Sequence, residues 1–354
     1  MDARYVVVGI ILCMYPAYGT YDTSSLERIE NVIPVAIIGS GPAGLAAALY
    51  TVRGGMPTTI FAGPKPGGQL TESNRVENLL GFESLSGIEV MKRKRDHVVQ
   101  LGARFVQGSI THVDFSVLPF KLHVDNGDTV SALSVIIATG SFPRFLNIPG
   151  EAEFLGNGVS TCAVCDAPFF EDSDVIVVGG GDTAIETVLF LRAYARSITV
   201  LNRSGALRAA PLLHKHLTDD KVLVLMHKRV VEVRGEDSVT HLMIEDTQTG
   251  EHSPTPAQGM FLAIGHMPNS DLFKGILELS SDGHVVVTGK SQQTSVCGVF
   301  AAGEVIDPVY RQAIVAEGDG AKAGLDALSF LHDRGITQAV IEHLQLYTES
   351  AETD

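Results

Sequence analysis

The chain has 354 residues, which at about 150 residues per domain makes two domains or three. Apolar residues make up 45% and charged residues 19%, enough for ordinary buried cores, which excludes a disordered, collagen-like or coiled-coil chain. The 26 basic against 41 acidic side chains leave a formal charge of -15, which argues against a nucleic acid partner, since that needs clustered Lys and Arg. Tyr5 to Tyr15 is an apolar run too short to span a bilayer comfortably. With Arg4 before it and Ala17-Tyr18-Gly19 after it, the stretch resembles a secretory signal. Asp2 offsets Arg4, however, and Leu12 before Cys13 spoils a lipobox. An N-terminal extension over residues 1–30, or a misassigned start, is the equal alternative, and the folded part is expected to begin near Asn31.

Val32 to Ile38 is a β-branched apolar run, read as a strand that ends in Gly39-Ser40-Gly41-Pro42-Ala43-Gly44. Leu45 to Arg53 reads as a helix and Pro57 to Phe61 as the next strand, which completes a βαβ unit. The pattern recurs. Asp174 to Val178 is a strand, Gly179-Gly180-Gly181-Asp182-Thr183-Ala184 the turn, Ile185 to Ala195 a helix and Ser197 to Leu201 a strand. Two such units predict two dinucleotide sites on two doubly wound domains. Three further apolar strands end in small residues, at Gly140, Gly265 and Gly303, where a ligand can approach the backbone.

In the first turn, Gly39 permits the tight bend, Gly41 admits a pyrophosphate and Gly44 packs helix on strand. The anion then meets the unpaired N–H groups of a helix N-terminus. The following strand ends Phe61-Ala62-Gly63 without the usual ribose-binding acid, so the adenosine must be held by other groups. The second turn has Ala184 at the third glycine position, and its next strand ends Leu201-Asn202-Arg203, with Arg208 shortly after. Cations in place of the acid suit a 2′-phosphate and point to NADPH over NADH.

Four cysteines are too few for a disulfide scaffold, but two lie three apart in Cys162-Ala163-Val164-Cys165-Asp166. Four readings are open. A zinc site wants a second ligand pair, and Cys13 and Cys297 are isolated, so no metal is expected. A static bridge this small closes too little chain to stabilise much, and two inert buried thiols are the third reading. Redox activity is the reading the spacing favours, with Asp166 available to carry protons to and from a thiolate. Cys297 is expected to be a buried small hydrophobe.

In this order, GSGPAG (39–44), GGQL (67–70), VEN (76–78), ATG (138–140), CAVCD (162–166), GGGDTA (179–184), AIGHMPN (263–269) and YRQA (310–313) resemble the low-molecular-weight thioredoxin reductases. These belong to the pyridine nucleotide–disulfide oxidoreductases, and the match runs over about residues 32–334. A CxxC just before the second glycine motif marks the subfamily. The resemblance implies an α/β fold of two Rossmann-like three-layer nucleotide-binding domains. The NADPH domain (142–269) is inserted in the FAD domain (31–141 and 270–335), and 336–354 is an acidic tail. It also implies a relay from NADPH through FAD and the Cys162–Cys165 disulfide to oxidised thioredoxin or a similar small dithiol protein, in a homodimer. Cys165 would face the flavin, Cys162 would attack the partner's disulfide and Asp166 would serve as acid/base. In the family the NADPH domain rotates between these two tasks.

Carried over by motif, FAD would be held by Gly39, Ser40, Gly41, Pro42, Ala43, Gly44, Gly68, Gln69, Leu70, Asn78, Ala138, Thr139, Gly140, Gly303, Glu304, Arg311, Gln312 and Ala313. NADPH would be held by Gly179, Gly181, Asp182, Thr183, Ala184, Glu186, Arg203, Arg208, Ile264 and Gly265. Two departures stand out. Asn202-Arg203-Ser204 replaces the family's His-Arg-Arg, which predicts an NADPH preference weakened by about tenfold or more but retained. Glu304 replaces an Asp, one methylene shorter, at a position expected to contact FAD. A dithiol oxidase that uses oxygen is one alternative, but such proteins typically lose the NADPH motif that is present here. A non-catalytic redox-sensing flavoprotein is the other. An exported reductase would lack NADPH, so the cytoplasm is expected, with export or an organelle as the alternative if residues 1–19 are a targeting signal. No stable membrane insertion of the mature chain is expected.

Overall fold

A computed structural model describes residues 32–73, 75–339 and 341. The signal-like segment and the last thirteen residues lie outside them. In chain order the strands of the first half are β1 (Val32–Ile38), β2 (Thr58–Phe61), β3 (Arg104–Val106), β4 (Ile110–Asp114), β5 (Phe120–Val124), β6 (Thr129–Ile137), β7 (Ser141–Pro143) and β8 (Val159–Ser160). Then follow β9 (Asp174–Val178), β10 (Ser197–Asn202), β11 (Val222–Met226), β12 (Lys228–Gly235), β13 (Val239–Asp246), β14 (His252–Pro256), β15 (Gly259–Leu262), β16 (His266–Pro268) and β17 (Val299–Ala301). The α-helices are α1 (Pro42–Arg53), α2 (Gly87–Gln100), α3 (Ala163–Asp166), α4 (Asp182–Leu191) and α5 (Ala313–His332).

The first sheet runs β3-β2-β1-β6-β5-β4, with β17 also paired to β6. The second runs β11-β10-β9-β15-β8 and is parallel throughout. Both central strands are apolar through their buried stretches, Val35–Ile38 and Val175–Val178, because both faces are covered there. On β1, Val35 and Ile37 pack with α1 and α5 while Ala36 and Ile38 join the opposite core. On β9, Val175 and Val177 meet α4, and Ile176 and Val178 meet β12 and β13. The result is two Rossmann-like α/β domains. They are linked where β7 leaves the first and antiparallel β16 returns to it. Asn269 stitches that link, accepting from the Thr139 hydroxyl at 2.8 Å and donating to its carbonyl at 2.8 Å.

Small residues set the tightest helix contact. A Cβ on Gly320 of α5 would lie 2.1 Å from the Ala43 carbonyl oxygen, and one on Gly324 would lie 2.8 Å from that of Ala47. Helix α5 therefore braces α1 and the glycine turn that precedes it. The end of the fold also begins later than composition suggests. Ile336 and Ile341, in the stretch read as an acidic tail, are buried in the core that α1 and α5 share.

Candidate functional site

Both glycine turns are shaped for an anion. Gly39 holds φ at +110°, and a Cβ there would sit 2.2 Å from the Ala138 carbonyl oxygen. Gly44 packs against Gly39 itself, where a Cβ would be 2.1 Å from its carbonyl oxygen. At Gly41 and Gly181 a Cβ would meet nothing within 4 Å, so each leaves open space in front of a helix start. No side chain caps α1 or α4. By contrast, the Ser86 hydroxyl caps α2 by accepting from Glu89 N–H at 3.2 Å. Uncapped N–H groups facing open space suit a pyrophosphate, so the residues present fit FAD at the first turn and NADPH at the second.

A cavity of about 1510 Å³ begins at the first turn and extends to the cysteine pair. Its wall includes Gly39 through Ala43, Gly68, Gln69, Leu70, Asn78, Ala138, Thr139, Gly140, Glu304, Arg311, Gln312 and Ala313. Two expected FAD residues lie behind the wall. Gly44 supports Gly39, and Gly303 packs on α1, its Cβ position 2.8 Å from the Ala43 methyl. Ser40 reaches the wall, but its hydroxyl is engaged inside, donating to Ala62 O at 2.9 Å and accepting from Gly67 N–H at 3.0 Å. Asn78 donates to the Gln312 side chain at 3.2 Å, which joins two chain segments across the cavity mouth.

Cys162 and Cys165 form a disulfide with Cα atoms 5.3 Å apart, and both line this cavity together with Asp166. The pair opens helix α3. Cys162 is its N-cap, and its Sγ accepts from Cys165 N–H at 3.3 Å. Burial raises the Asp166 carboxyl above the usual range, and a hydrogen bond from Ser160 partly offsets that. Across the cavity, Glu304 is likewise raised by burial. Its Oε2 accepts from Ser141 Oγ at 2.5 Å and from Gln69 Nε2 at 3.0 Å. The extra methylene of Glu304 is thus accommodated by a serine on β7. His266 on β16 is held neutral, its pKa lowered to about 4 by burial and then by Arg311. Arg311 Nη1 donates to His266 Nδ1 at 2.6 Å.

The second turn lies mostly outside this cavity. Thr183 and Glu186 line it, whereas Gly179, Gly181, Asp182, Ala184, Arg203, Arg208, Ile264 and Gly265 do not. Asp182 accepts from Ala210 N–H at 2.8 Å, and Arg208 N–H donates to Gly180 O at 2.7 Å. These bonds seat the arginine-bearing loop against the glycine turn. Asn202 is buried and its amide donates to Ala206 O at 2.8 Å and Ser204 O at 3.0 Å. The Arg203 and Arg208 side chains are exposed and make no ion pair among the described residues. Ile264 is half-buried against the second core, and the Gly265 carbonyl accepts from Arg144 N–H at 2.9 Å.

Cys297 is exposed, contrary to the sequence expectation. Gly298, at φ +89°, lies against the Phe330 ring and turns the chain so that Cys297 faces outward, toward Arg334. Sequence reading passed over Ser141, Ser160 and His266. Only Ser160, two residues before Cys162, carried a signal, namely a hydroxyl in reach of the CxxC turn. Among the described residues, no helix is long and apolar enough to cross a membrane and no cluster could hold a metal ion.

The family model for pyridine nucleotide-disulphide oxidoreductases matches residues 33–320. A thioredoxin reductase of Mycolicibacterium smegmatis is 40% identical over 311 residues, covering 87% of this chain and 100% of that protein. A bifunctional thioredoxin reductase/thioredoxin of Mycobacterium leprae is 40% identical over 312 residues, covering 88% of this chain and 68% of that one. The solved thioredoxin reductase from Giardia duodenalis superposes with a TM-score of 0.81 at 34% identity, covering 85% of this chain and 99% of that one. With glycine turns that fit FAD and NADPH and a disulfide on the cavity of the first, this chain belongs to the pyridine nucleotide-disulphide oxidoreductases and, within them, to the thioredoxin reductases.

Proposed function

We propose that this chain is an NADPH-dependent thioredoxin-disulfide reductase whose working pair is Cys162–Cys165. The observation that carries the reading is that the disulfide opens on the same cavity as the first glycine turn. In this reading FAD is held by Gly39 through Gly44, Gly68 through Leu70, Asn78, Ala138 through Gly140, Gly303, Glu304 and Arg311 through Ala313. NADPH is held by Gly179, Gly181 through Ala184, Glu186, Arg203, Arg208, Ile264 and Gly265. When bound, FAD supplies a two-electron path from the nicotinamide to a disulfide. The FAD domain comprises 31–141 and 270–335, and the NADPH domain 142–269.

The chain's own residues then handle sulfur and protons. An electron pair delivered at Cys165 Sγ breaks the S–S bond, and Cys162 leaves as a thiolate. The Cys165 N–H directed at Cys162 Sγ stabilises that thiolate. Asp166, its carboxyl raised by burial, is suited to protonate Cys162 and later to recover the proton. The Cys162 thiolate attacks the partner's disulfide, forms a mixed disulfide and releases one partner thiolate. Cys165 then attacks Cys162 Sγ, which restores the internal disulfide and releases the second. The substrate is thioredoxin or a similar small dithiol protein, the assembly a homodimer and the compartment the cytoplasm. Anaerobic NADPH added to the purified flavoprotein is expected to expose two titratable thiols per chain. Bleaching of the flavin without new thiols would overturn the reading.

A further inference from the structure

One hydroxyl touches both the proton carrier and the attacking cysteine's turn. Ser160 is 3% exposed and is held at the sheet edge by pairing of β8 with β15. Its Oγ donates to Asp166 Oδ2 at 2.6 Å and accepts from Cys162 N–H at 3.0 Å. The Cys162 carbonyl oxygen lies 3.4 Å away, within reach of the same hydroxyl hydrogen. Asp166 is brought back over Ser160 by one turn of α3, closed by Asp166 N–H on Cys162 O at 3.0 Å.

We propose that Ser160 is a positioning residue for the thiol–disulfide step, its hydroxyl exchanging donor and acceptor roles as Asp166 gains and loses its proton. The inference rests on Asp166 as the acid/base of the proposed function. A serine hydroxyl has one proton and two lone pairs. The Cys162 N–H occupies one lone pair in either state. When Asp166 is ionised, the hydroxyl proton goes to Oδ2. When Asp166 is protonated, the carboxyl O–H donates to the second lone pair and the serine proton turns to the Cys162 carbonyl. No heavy atom moves, so the cysteine turn keeps its shape through both halves of the cycle. A cation at this place would hold Asp166 ionised, and an apolar residue would leave an enclosed carboxylate without a donor.

The surroundings leave Ser160 in control. Helix α3 itself carries Cys165 and, at its N-cap, Cys162. The following turn (Ala167–Phe170) has no titratable side chain, and β8 contributes only Ser160. Helix α4 brings Asp182, whose carboxylate is bound to Ala210 N–H, and Glu186. Asp166 is shifted by burial first and by the Ser160 bond second, and by no neighbouring charge.

The test compares Ser160→Ala, Ser160→Thr and Asp166→Asn holoenzymes through the pH dependence of kcat for thioredoxin reduction. Ser160→Ala removes the bond that favours the ionised carboxyl, so the limb governed by Asp166 should move to higher pH by about 1–2 units. Ser160→Thr should restore the parent profile, and Asp166→Asn should abolish the limb. A Ser160→Ala enzyme slower at every pH with its limb unmoved would overturn the proposal and leave Asp166 in place. A limb that persists in Asp166→Asn would remove Asp166 from its role, and the proposal with it. If the alanine variant does not retain flavin, Ser160→Cys provides the same comparison with a weak donor of similar size.

Discussion

Replacing either Cys162 or Cys165 with serine is expected to lower thioredoxin reduction by at least about 10³-fold, while both proteins purify yellow. Activity is lost because each sulfur forms a bond that the other cannot form alone. Flavin should stay because the cradle proposed for it is built from the turn after β1, the 67–70 loop, the end of β6 and the segment leading into α5, which line the cavity apart from the cysteines. The two variants should also differ from each other. Cys165→Ser retains the Cys162 thiol and a backbone N–H at position 165, which still points at Cys162 Sγ. It should therefore accumulate a mixed disulfide with thioredoxin, since no second thiol is present to resolve it. Cys162→Ser should trap none. Non-reducing electrophoresis and mass measurement of the adduct check this, and trapping by Cys162→Ser instead would reverse the two roles.

The second large effect concerns the nicotinamide cofactor. Arg203→Ala and Arg208→Ala are each expected to lower kcat/KM for NADPH by about 10- to 100-fold, and that for NADH by less than about threefold. The reason lies in the loop after β10. Asn202 and Ser204 stand where the family has further cationic or imidazole side chains, and here both are bound within the loop. Ser204 Oγ donates to Ala206 O at 3.1 Å. They shape the loop and add no charge, so in the proposed function recognition of the 2′-phosphate falls to the two exposed guanidiniums. The parent enzyme should still prefer NADPH. Steady-state kinetics with both cofactors decide it, and equal losses for the two in either variant would show that the arginines do not read the phosphate.

Much of this molecule is legible in its sequence because the strongest signals are local. The runs Val32–Ile38 and Asp174–Val178 have the same bounds in sequence and structure, since apolar β-branched residues stop abruptly at glycine. Both following helices begin about three residues earlier than their apolar faces suggest. Pro42 suits the first turn of a helix and Asp182 its positive N-terminus, so α1 and α4 start within the glycine motifs themselves. What sequence reading missed depends on residues far apart in the chain. Glu304 meets Ser141 across 163 positions and Gln69 across 235, and Arg311 meets His266 across 45. No periodicity or motif encodes such pairs, because they arise only when β17 and β7 are brought beside β6 and β16. Cys297 departs from its expected burial for a related reason. Its small size suits a core, but the positive φ of Gly298 and the Phe330 ring behind it turn the thiol outward.

The central claim is that NADPH electrons reach a protein disulfide through Cys162–Cys165. Its most direct test follows NADPH oxidation by the purified flavoprotein, with and without oxidised thioredoxin, in air and under anaerobic conditions. Oxidation that requires thioredoxin, proceeds equally without oxygen and yields two thioredoxin thiols per NADPH is the predicted result. Oxidation that requires only oxygen and is indifferent to thioredoxin would contradict it.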